Sequence, residues 1–168
     1  YYEFVLEEDY PKSIELLKRF KNLIITRTFS KMYGLAGLRI GYGITTLETA
    51  DILNRVREPF NVNSLAQVAA LACLDDKKYY SKIASQLAKQ KDYFYACFDS
   101  LGFRYVRSSA NFILVNVKKN SKEVVNRLMR KGIIVRDMSF WGLKNFIRIT
   151  IGKREENERL IKALKEIA

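Results

Sequence analysis

The sequence predicts an α/β protein whose mostly parallel sheet with helices is followed by a small α+β domain. Two observations lead to this fold class. Near the start, an amphipathic helical pattern at 13–20 precedes the apolar run 23–28, as in a helix-then-strand unit of a buried parallel sheet. After Gly102 the order becomes strand, strand, helix, strand, strand, helix, which is typical of an α+β layer.

The boundary between the two domains is predicted at a cluster of charges, Asp75-Asp76-Lys77-Lys78. We therefore expect domains at 1–76 and 77–168. A long amphipathic helix over Ser81–Leu101 opens the second domain, and Gly102 ends that helix, because glycine is common just past a helix C-terminus.

The first domain begins with β-type residues and then alternates helices and strands. Its predicted elements are a β-type segment at Tyr1–Val5, a helix from the N-cap Ser13 to Phe20, strands Leu23–Thr28 and Arg39–Thr45, and helices Thr49–Val56 and Leu65–Leu74. Gly41 and Gly43 indicate a close approach of another group to the backbone of the second strand. The last helix, capped by Asn63 or Ser64, is apolar on nearly every side, which predicts that it is buried.

The second domain continues with short apolar runs separated by glycine and polar turns. Its predicted elements are strands Phe103–Val106, Ser108–Val117, Ile133–Arg136 and Phe146–Ile151, a helix Lys122–Lys131 capped by Ser121, and a terminal helix Glu155–Ile167.

Composition excludes several classes of protein. With 48% hydrophobic and 29% charged residues in 168, a packed core is expected rather than disorder. There is no histidine, so we predict neither His-based catalysis nor a metal site. The lone thiols Cys73 and Cys97 favour a reducing compartment, the cytoplasm, over a disulfide framework. No apolar run approaches the ~18 residues that span a bilayer, so no membrane partner is expected.

The net charge of +12 raises the possibility of nucleic-acid binding. The basic residues are spread over several helices beside acidic neighbours, and no nucleic-acid motif accompanies them. A solvated basic surface that prefers small anionic molecules therefore explains the charge better, and we predict no nucleic-acid partner.

A lysine directly after a predicted strand is the strongest candidate for chemistry. The strand 23–28 leads into Ser30 and Lys31, a glycine-punctuated turn follows, and Arg39 lies eight residues beyond the lysine. Singly, these are an ordinary loop lysine, a turn and a surface arginine. Together, an amine, a hydroxyl and a guanidinium suit a carbonyl and a phosphate held close to each other.

The stretch TFSKMYGLAGLRIGYG resembles the cofactor-lysine segment of fold-type I enzymes that use pyridoxal phosphate. It is most similar to the histidinol-phosphate aminotransferase family, whose pattern is S-K-x-x-x-L-A-G-L-R-x-G. The resemblance covers almost the whole chain but only the C-terminal half of that family. It implies that the chain is the end of a cofactor-binding large domain followed by a small α+β domain.

The resemblance also implies roles for residues near the lysine. Lys31 would be the catalytic residue, binding the cofactor and moving a proton at the substrate. Ser30 and Arg39 would hold the cofactor phosphate. Tyr1 matches the tyrosine of the family's Asp-x-Ala-Tyr-x-Glu-Phe segment, which hydrogen-bonds the phenolic oxygen of the ring. The aspartate that pairs with the pyridine nitrogen would lie three residues before Tyr1, outside this sequence.

Two arginines in the second domain are candidates for binding substrate. Arg136 and Arg148 each lie among β-branched residues, where a buried guanidinium needs an anionic partner. An internal acid such as Asp137 is one possible partner, and a substrate is the other. The family's V/L-R-D and L-R-I-T-[IV]-G segments imply the second: Arg148 would bind a phosphate or carboxylate, Arg136 would assist, and Asn111 would support the nearby backbone.

The expected function is transamination between histidinol phosphate and 2-oxoglutarate in histidine biosynthesis, by a homodimer of the full-length protein. The chain alone is expected to be inactive, since the family's glycine-rich phosphate loop, ring-stacking aromatic and pyridine-binding aspartate would lie upstream. The alternatives are a threonine-phosphate decarboxylase, an aromatic aminotransferase, or a non-catalytic effector domain of a transcription regulator.

Overall fold

The computed structural model describes residues 1–167, which form two compact units. The chain divides after Ile83, inside the helix α4 (Lys77–Ser100). The domain boundary at 76/77 thus stays a prediction. Among the described residues, no helix is both long enough and apolar enough to cross a membrane. Both thiols, Cys73 and Cys97, are free.

The first unit contains one short sheet and several helices. Its elements are a 3₁₀ turn at Tyr2–Phe4, α1 (Ser13–Arg19), β1 (Ile25–Thr28), a 3₁₀ turn at Ala36–Leu38, β2 (Gly41–Ile44), α2 (Leu47–Val56), α3 (Ser64–Asp75) and the start of α4. The mixture of helices and strands agrees with the predicted α/β class. The expected strand at Tyr1–Val5 is a helical turn instead, closed by a bond from the Phe4 amide to the Tyr1 carbonyl at 3.0 Å.

The two strands of this unit pair antiparallel, whereas a mostly parallel sheet was predicted. The register pairs Ile25 with Ile44 and Thr28 with Gly41. Parallel neighbours need a long crossover, usually a helix, and the connection at 29–40 contains only one 3₁₀ turn, so the chain reverses. A Cβ on Gly41 would lie 2.6 Å from the Arg27 carbonyl oxygen, so the close approach predicted there is to β1 itself.

The helix α3 is the clearest departure from expectation in this unit. Its all-round apolar sequence predicts burial, yet only Ala66 and Ala70 are buried. Four large apolar side chains are between 44% and 73% exposed: Leu65, Val68, Leu71 and Leu74. Asn63 caps the helix, accepting a bond from the Ala66 amide at 2.8 Å, as expected.

The second unit is an antiparallel four-stranded sheet with three helices. Its elements are the rest of α4, β3 (Arg104–Val106), β4 (Phe112–Asn116), α5 (Ser121–Arg130), β5 (Arg136–Asp137), β6 (Phe146–Thr150) and α6 (Arg154–Ile167). The strands lie in the order β3-β4-β6-β5. The α+β arrangement is as predicted, although β5 starts at Arg136 rather than at Ile133. The helix cap also differs, since Asn120 rather than Ser121 accepts from the first amides of α5.

The core of the second unit lies on one face of its sheet. Ile113 and Val115 of β4 and Ile147 and Ile149 of β6 are at most 1% exposed and pack with apolar residues of α4, α5 and α6. Because successive side chains of a strand point to opposite faces, the residues between them lie on the other face. We call that other side the arginine face, since it carries Arg136 and Arg148.

Candidate active site

The lysine loop, residues 29–40 between β1 and β2, is closed by backbone hydrogen bonds. The Phe29 amide donates to the Ile40 carbonyl at 3.2 Å, and the Leu35 amide donates to the Phe29 carbonyl at 2.9 Å. Gly34 has φ +71°, a conformation that glycine adopts without strain. Phe29 and Met32 are buried on either side of Lys31, so the loop is anchored while the lysine stays exposed.

Lys31 lies beside Tyr1, as the resemblance implies for two residues that share a cofactor. Its Nζ is 5.7 Å from the centroid of the Tyr1 ring. Both side chains are exposed. Within residues 1–167 no carboxylate lies within ion-pair distance of the lysine. The amino group is therefore open to a ligand that approaches over the tyrosine.

Arg39 and Ser30 flank the lysine within the same loop. Arg39 has φ +54°, which is uncommon for a residue with a side chain, and its Nη1 donates to the Ala36 carbonyl at 2.8 Å. Since a guanidinium has five N–H donors, most remain available for an anion. The Ser30 amide donates to Thr28 Oγ1 at 3.1 Å, which fixes the backbone just before Lys31.

An amine, a hydroxyl and a guanidinium on one short loop fit a compound that carries both an aldehyde and a phosphate. The amine can bond covalently to the carbonyl, and the other two groups can donate to phosphate oxygens. Tyr1 adds a phenol on the same side as the amine. The donor set thus fits pyridoxal phosphate, the cofactor implied by the sequence.

In the second unit, Arg136 and Arg148 lie directly opposite each other on neighbouring strands. Their Cα atoms are register partners in the β5–β6 ladder, so both side chains stand on the arginine face. Both are exposed, and among residues 1–167 neither forms an ion pair. Within this chain, the two guanidinium groups are therefore exposed rather than buried. Like charges placed opposite on a sheet repel, and this pair has no carboxylate to offset the repulsion.

Asp137 is not the partner of either arginine. It follows Arg136 in the strand and so points to the opposite face. Its carboxylate accepts from the Ser121 hydroxyl at 2.6 Å, the Ser139 hydroxyl at 2.5 Å and the Ser139 amide at 3.0 Å. The hydrogen bond from Ser121, followed by those from Ser139, holds the pKa of Asp137 below its usual value.

Two aromatic rings against the arginines were missed by the sequence analysis. The Arg136 guanidinium carbon is 5.2 Å from the Trp141 ring centroid, and that of Arg148 is 5.0 Å from the Phe112 centroid. Because side chains alternate between the two faces along paired strands, the sequence could have predicted that Phe112 of β4 lies on the same face of the sheet as Arg148. Trp141 had no periodic signal, because it lies in a 3₁₀ turn at Ser139–Trp141.

Asn111 extends the ladder that carries Arg148. Its carbonyl accepts from the Ile151 amide at 2.9 Å, one step beyond the Phe112–Thr150 pair. Support of the local backbone near Arg148 remains a prediction for its side chain.

The predicted residues thus form two groups, each described within its own unit. Lys31, Ser30, Arg39 and Tyr1 belong to the first unit, and Arg136, Arg148 and Asn111 belong to the second. A groove of about 680 Å³ in the first unit is lined by Tyr2, Arg27 and several glutamates. It does not include Lys31, so we assign it no role in the chemistry.

Known proteins resemble this chain along nearly its full length. A histidinol-phosphate aminotransferase from Moorella thermoacetica is 50% identical over an alignment of 168 positions, and the match covers 99% of this chain and 44% of the relative. The crystal structure of histidinol-phosphate aminotransferase from Sinorhizobium meliloti in complex with pyridoxal-5'-phosphate matches with a TM-score of 0.86 and 30% identity, over 99% of this chain and 47% of that one.

A decarboxylase structure is also similar. L-threonine-O-3-phosphate decarboxylase from Porphyromonas gingivalis matches with a TM-score of 0.82 and 28% identity, over 99% of this chain and 52% of that one. The chain spans about half the length of the proteins that it matches. The family model for aminotransferase class I and II matches residues 1–164. The fold expected from the sequence is thereby confirmed, and the chain belongs to the aminotransferase class I and II family.

Proposed function

We propose that this chain is the lysine- and arginine-bearing part of a pyridoxal-phosphate-dependent enzyme that transfers an amino group between histidinol phosphate and 2-oxoglutarate. The observation that carries the proposal is the lysine loop, where an exposed Lys31 lies 5.7 Å from the Tyr1 ring centroid and Ser30 and Arg39 belong to the same loop. The 50% identity to a histidinol-phosphate aminotransferase supports the choice of substrate.

The residues of the lysine loop bind and orient the cofactor in this proposal. Arg39 and the Ser30 hydroxyl would hold its phosphate, and the Tyr1 phenol would hold its ring oxygen. When bound, pyridoxal phosphate supplies a ring that withdraws electrons from the substrate's Cα. Lys31 Nζ would hold the cofactor's carbonyl group and, as a free amine, would move the proton at the substrate's Cα as base and acid.

Arg148 and Arg136 bind the anionic end of the substrate. Two guanidinium groups that have no carboxylate partner among residues 1–167 match the negatively charged oxygens of a phosphate. The same two arginines would also bind the side-chain carboxylate of glutamate, which is the amino donor that regenerates the cofactor.

The 168 residues alone are expected to show little or no turnover. The resemblance assigns the phosphate loop and the pyridine-binding aspartate to a part of the family that this sequence does not contain. We also propose that the whole enzyme is a cytoplasmic homodimer.

The decisive experiment joins this chain to the part of the Moorella thermoacetica relative that lies outside the match. The chimera is expected to transaminate histidinol phosphate with 2-oxoglutarate, whereas the 168-residue chain and the chimera carrying Lys31→Ala are not. Typical transaminase turnover by the 168-residue chain itself would contradict the proposal of an incomplete site.

Substrate profiling of the same chimera separates the main alternatives. The similarity to L-threonine-O-3-phosphate decarboxylase favours decarboxylation as the second candidate. Release of CO₂ from threonine phosphate, with no transamination of histidinol phosphate, would identify the whole protein as a decarboxylase. Preference for aromatic amino acids would indicate an aromatic aminotransferase. A folded chimera that binds effector but turns over none of these substrates would favour a regulatory domain.

A further inference from the structure

The paired arginines of the second unit raise a physical question that the proposed function leaves open. Each side chain is long and flexible, and the two positive groups repel each other on adjacent strands. An unrestrained arginine gives up much of its rotamer entropy when it is fixed. A site that binds an anion well therefore benefits from groups that hold the guanidinium in place beforehand.

Trp141 is placed to hold Arg136. Its ring centroid is 5.2 Å from the guanidinium carbon, within the range in which an aromatic face attracts a cation. The ring is 53% exposed, so it is not part of the core. Arg136 has no carboxylate partner within residues 1–167, which leaves the ring as its main restraint.

The backbone that carries Trp141 is fixed at several points. The Trp141 amide donates to the Met138 carbonyl at 3.1 Å, and Gly142, at φ +79°, donates to the Ser139 carbonyl at 3.0 Å. Asp137 in turn accepts from both the amide and the hydroxyl of Ser139. The indole is thus presented from a turn that is tied to the strand bearing Arg136.

We propose that Trp141 is a positioning residue that holds the Arg136 guanidinium beside Arg148, so that both donate to the same phosphate group. This inference rests on the proposed role of the two arginines in binding the substrate's anion. Trp141 itself makes no bond to the anion. Its effect is to reduce the freedom that Arg136 loses on binding, and so to favour a dianionic phosphate over a carboxylate.

The test uses the 168-residue chain and inorganic phosphate as the probe. Phosphate binding is followed by NMR of the arginine Nε–Hε groups in the parent, in Trp141→Leu and in Trp141→Phe. Trp141→Leu is expected to weaken phosphate binding by about two- to fivefold, the range that an exposed cation–π contact implies. Trp141→Phe restores an aromatic face and is expected to recover most of the affinity. Acetate binding, which needs only one guanidinium, is expected to change less.

Fluorescence gives an independent readout, since Trp141 is the single tryptophan of the chain. Phosphate should change its emission in the parent and not in Arg136→Gln. The charge-matched control is Arg127→Gln on the exposed surface of α5, which should leave both the emission change and the affinity near the parent's.

The outcomes separate this inference from the proposed function. If Arg136→Gln and Arg148→Gln weaken phosphate binding but Trp141→Leu does not, the positioning role is wrong and the anion site stands. If neither arginine variant differs from Arg127→Gln, the anion site itself is wrong, and the role of Trp141 falls with it. If Trp141→Phe binds as poorly as Trp141→Leu, the aromatic face is not what positions Arg136.

Discussion

At the scale of single residues, Asp137 shows how one carboxylate organises a site without taking part in it. Three donors from Ser121 and Ser139 occupy its oxygens, so it ties the turn after β5 to the start of α5. It also leaves Arg136 without an internal counter-charge. From sequence alone, Arg136 and Asp137 could form an ion pair, but because both lie in β5 their side chains point to opposite faces of the sheet.

The depressed pKa of Asp137 predicts how stability depends on pH. In the unfolded chain the carboxyl protonates near its ordinary value, and in the folded chain it protonates at a lower pH. The ionised carboxylate therefore contributes fully to stability above the pKa that Asp137 has in the unfolded chain. This contribution is lost as the pH falls through the lower pKa that it has in the folded chain. Asp137→Asn is expected to lower the free energy of unfolding of the second unit by about 1 kcal/mol near neutral pH, the size of a lost hydrogen bond.

The measurement is urea unfolding of the parent and Asp137→Asn from pH 7 down to pH 3. The difference between the urea midpoints of the two proteins should become smaller as the pH falls below the ordinary pKa of an aspartate. A gap that stays constant over the whole series would mean that the ionised carboxylate adds nothing to stability.

A second prediction at this scale concerns Arg148. In an active chimera, Arg148→Gln is expected to raise the KM for histidinol phosphate by about tenfold or more, the loss expected of a charged hydrogen bond. Steady-state kinetics check this, with Arg127→Gln as the charge-matched control. An unchanged KM in Arg148→Gln would remove this residue from the substrate site.

At the scale of elements, the sequence predicted which segments are helices and strands more reliably than how they begin and pair. Periodicity located α5 and β6, since both have one apolar face. It placed the cap of α5 at Ser121, one residue late, because serine and asparagine both favour that position. Ser121 is fully buried, and its hydroxyl lies within hydrogen-bond distance of two acceptors, Asp137 Oδ1 and the Lys144 carbonyl oxygen.

The cap assignment leads to a paired prediction. Asn120 accepts bonds from the amides of Lys122 and Glu123, so Asn120→Ala should expose both amides to exchange and destabilise the unit by about 1 kcal/mol. Ser121→Ala should leave those two amides protected and instead raise the pKa of Asp137. Hydrogen exchange of the two variants checks this. Equal loss of protection at Lys122 in both would contradict the assignment.

The exposed helix α3 shows that an apolar sequence pattern does not by itself determine whether a helix is buried. Its apolar residues indicate burial, but burial requires a surface to pack against. Within the described residues only the two alanines find one. The same reason explains the antiparallel pair β1–β2: a continuous apolar run identifies a strand, but the partner of that strand depends on other parts of the fold.

At the scale of the whole molecule, the two units differ in how complete their cores are. Eighteen buried apolar residues form one cluster in the second unit. Among the described residues of the first unit, the buried apolar set consists of Phe4, Ile25, Phe29, Met32, Ala66 and Ala70. Since apolar burial is the main favourable term in folding, the second unit holds most of the stability of this chain.

Native-state hydrogen exchange on the 168-residue chain tests that difference. Amides paired between β4 and β6 should exchange only on global unfolding, whereas those paired between β1 and β2 should exchange through local opening at far lower free energy. In the chimera, the β1–β2 amides should gain protection. Equal protection of both sheets in the chain alone would show that the first unit is stable without further polypeptide.

Covalent trapping of the cofactor shows directly whether Lys31 is the residue that bears it. The chimera is incubated with pyridoxal phosphate, reduced with borohydride and mapped by peptide mass spectrometry. We predict that the label lies on the peptide containing Lys31, that Lys31→Ala removes it, and that Arg148→Gln keeps it. A folded chimera labelled at another lysine, or at none, would contradict the account.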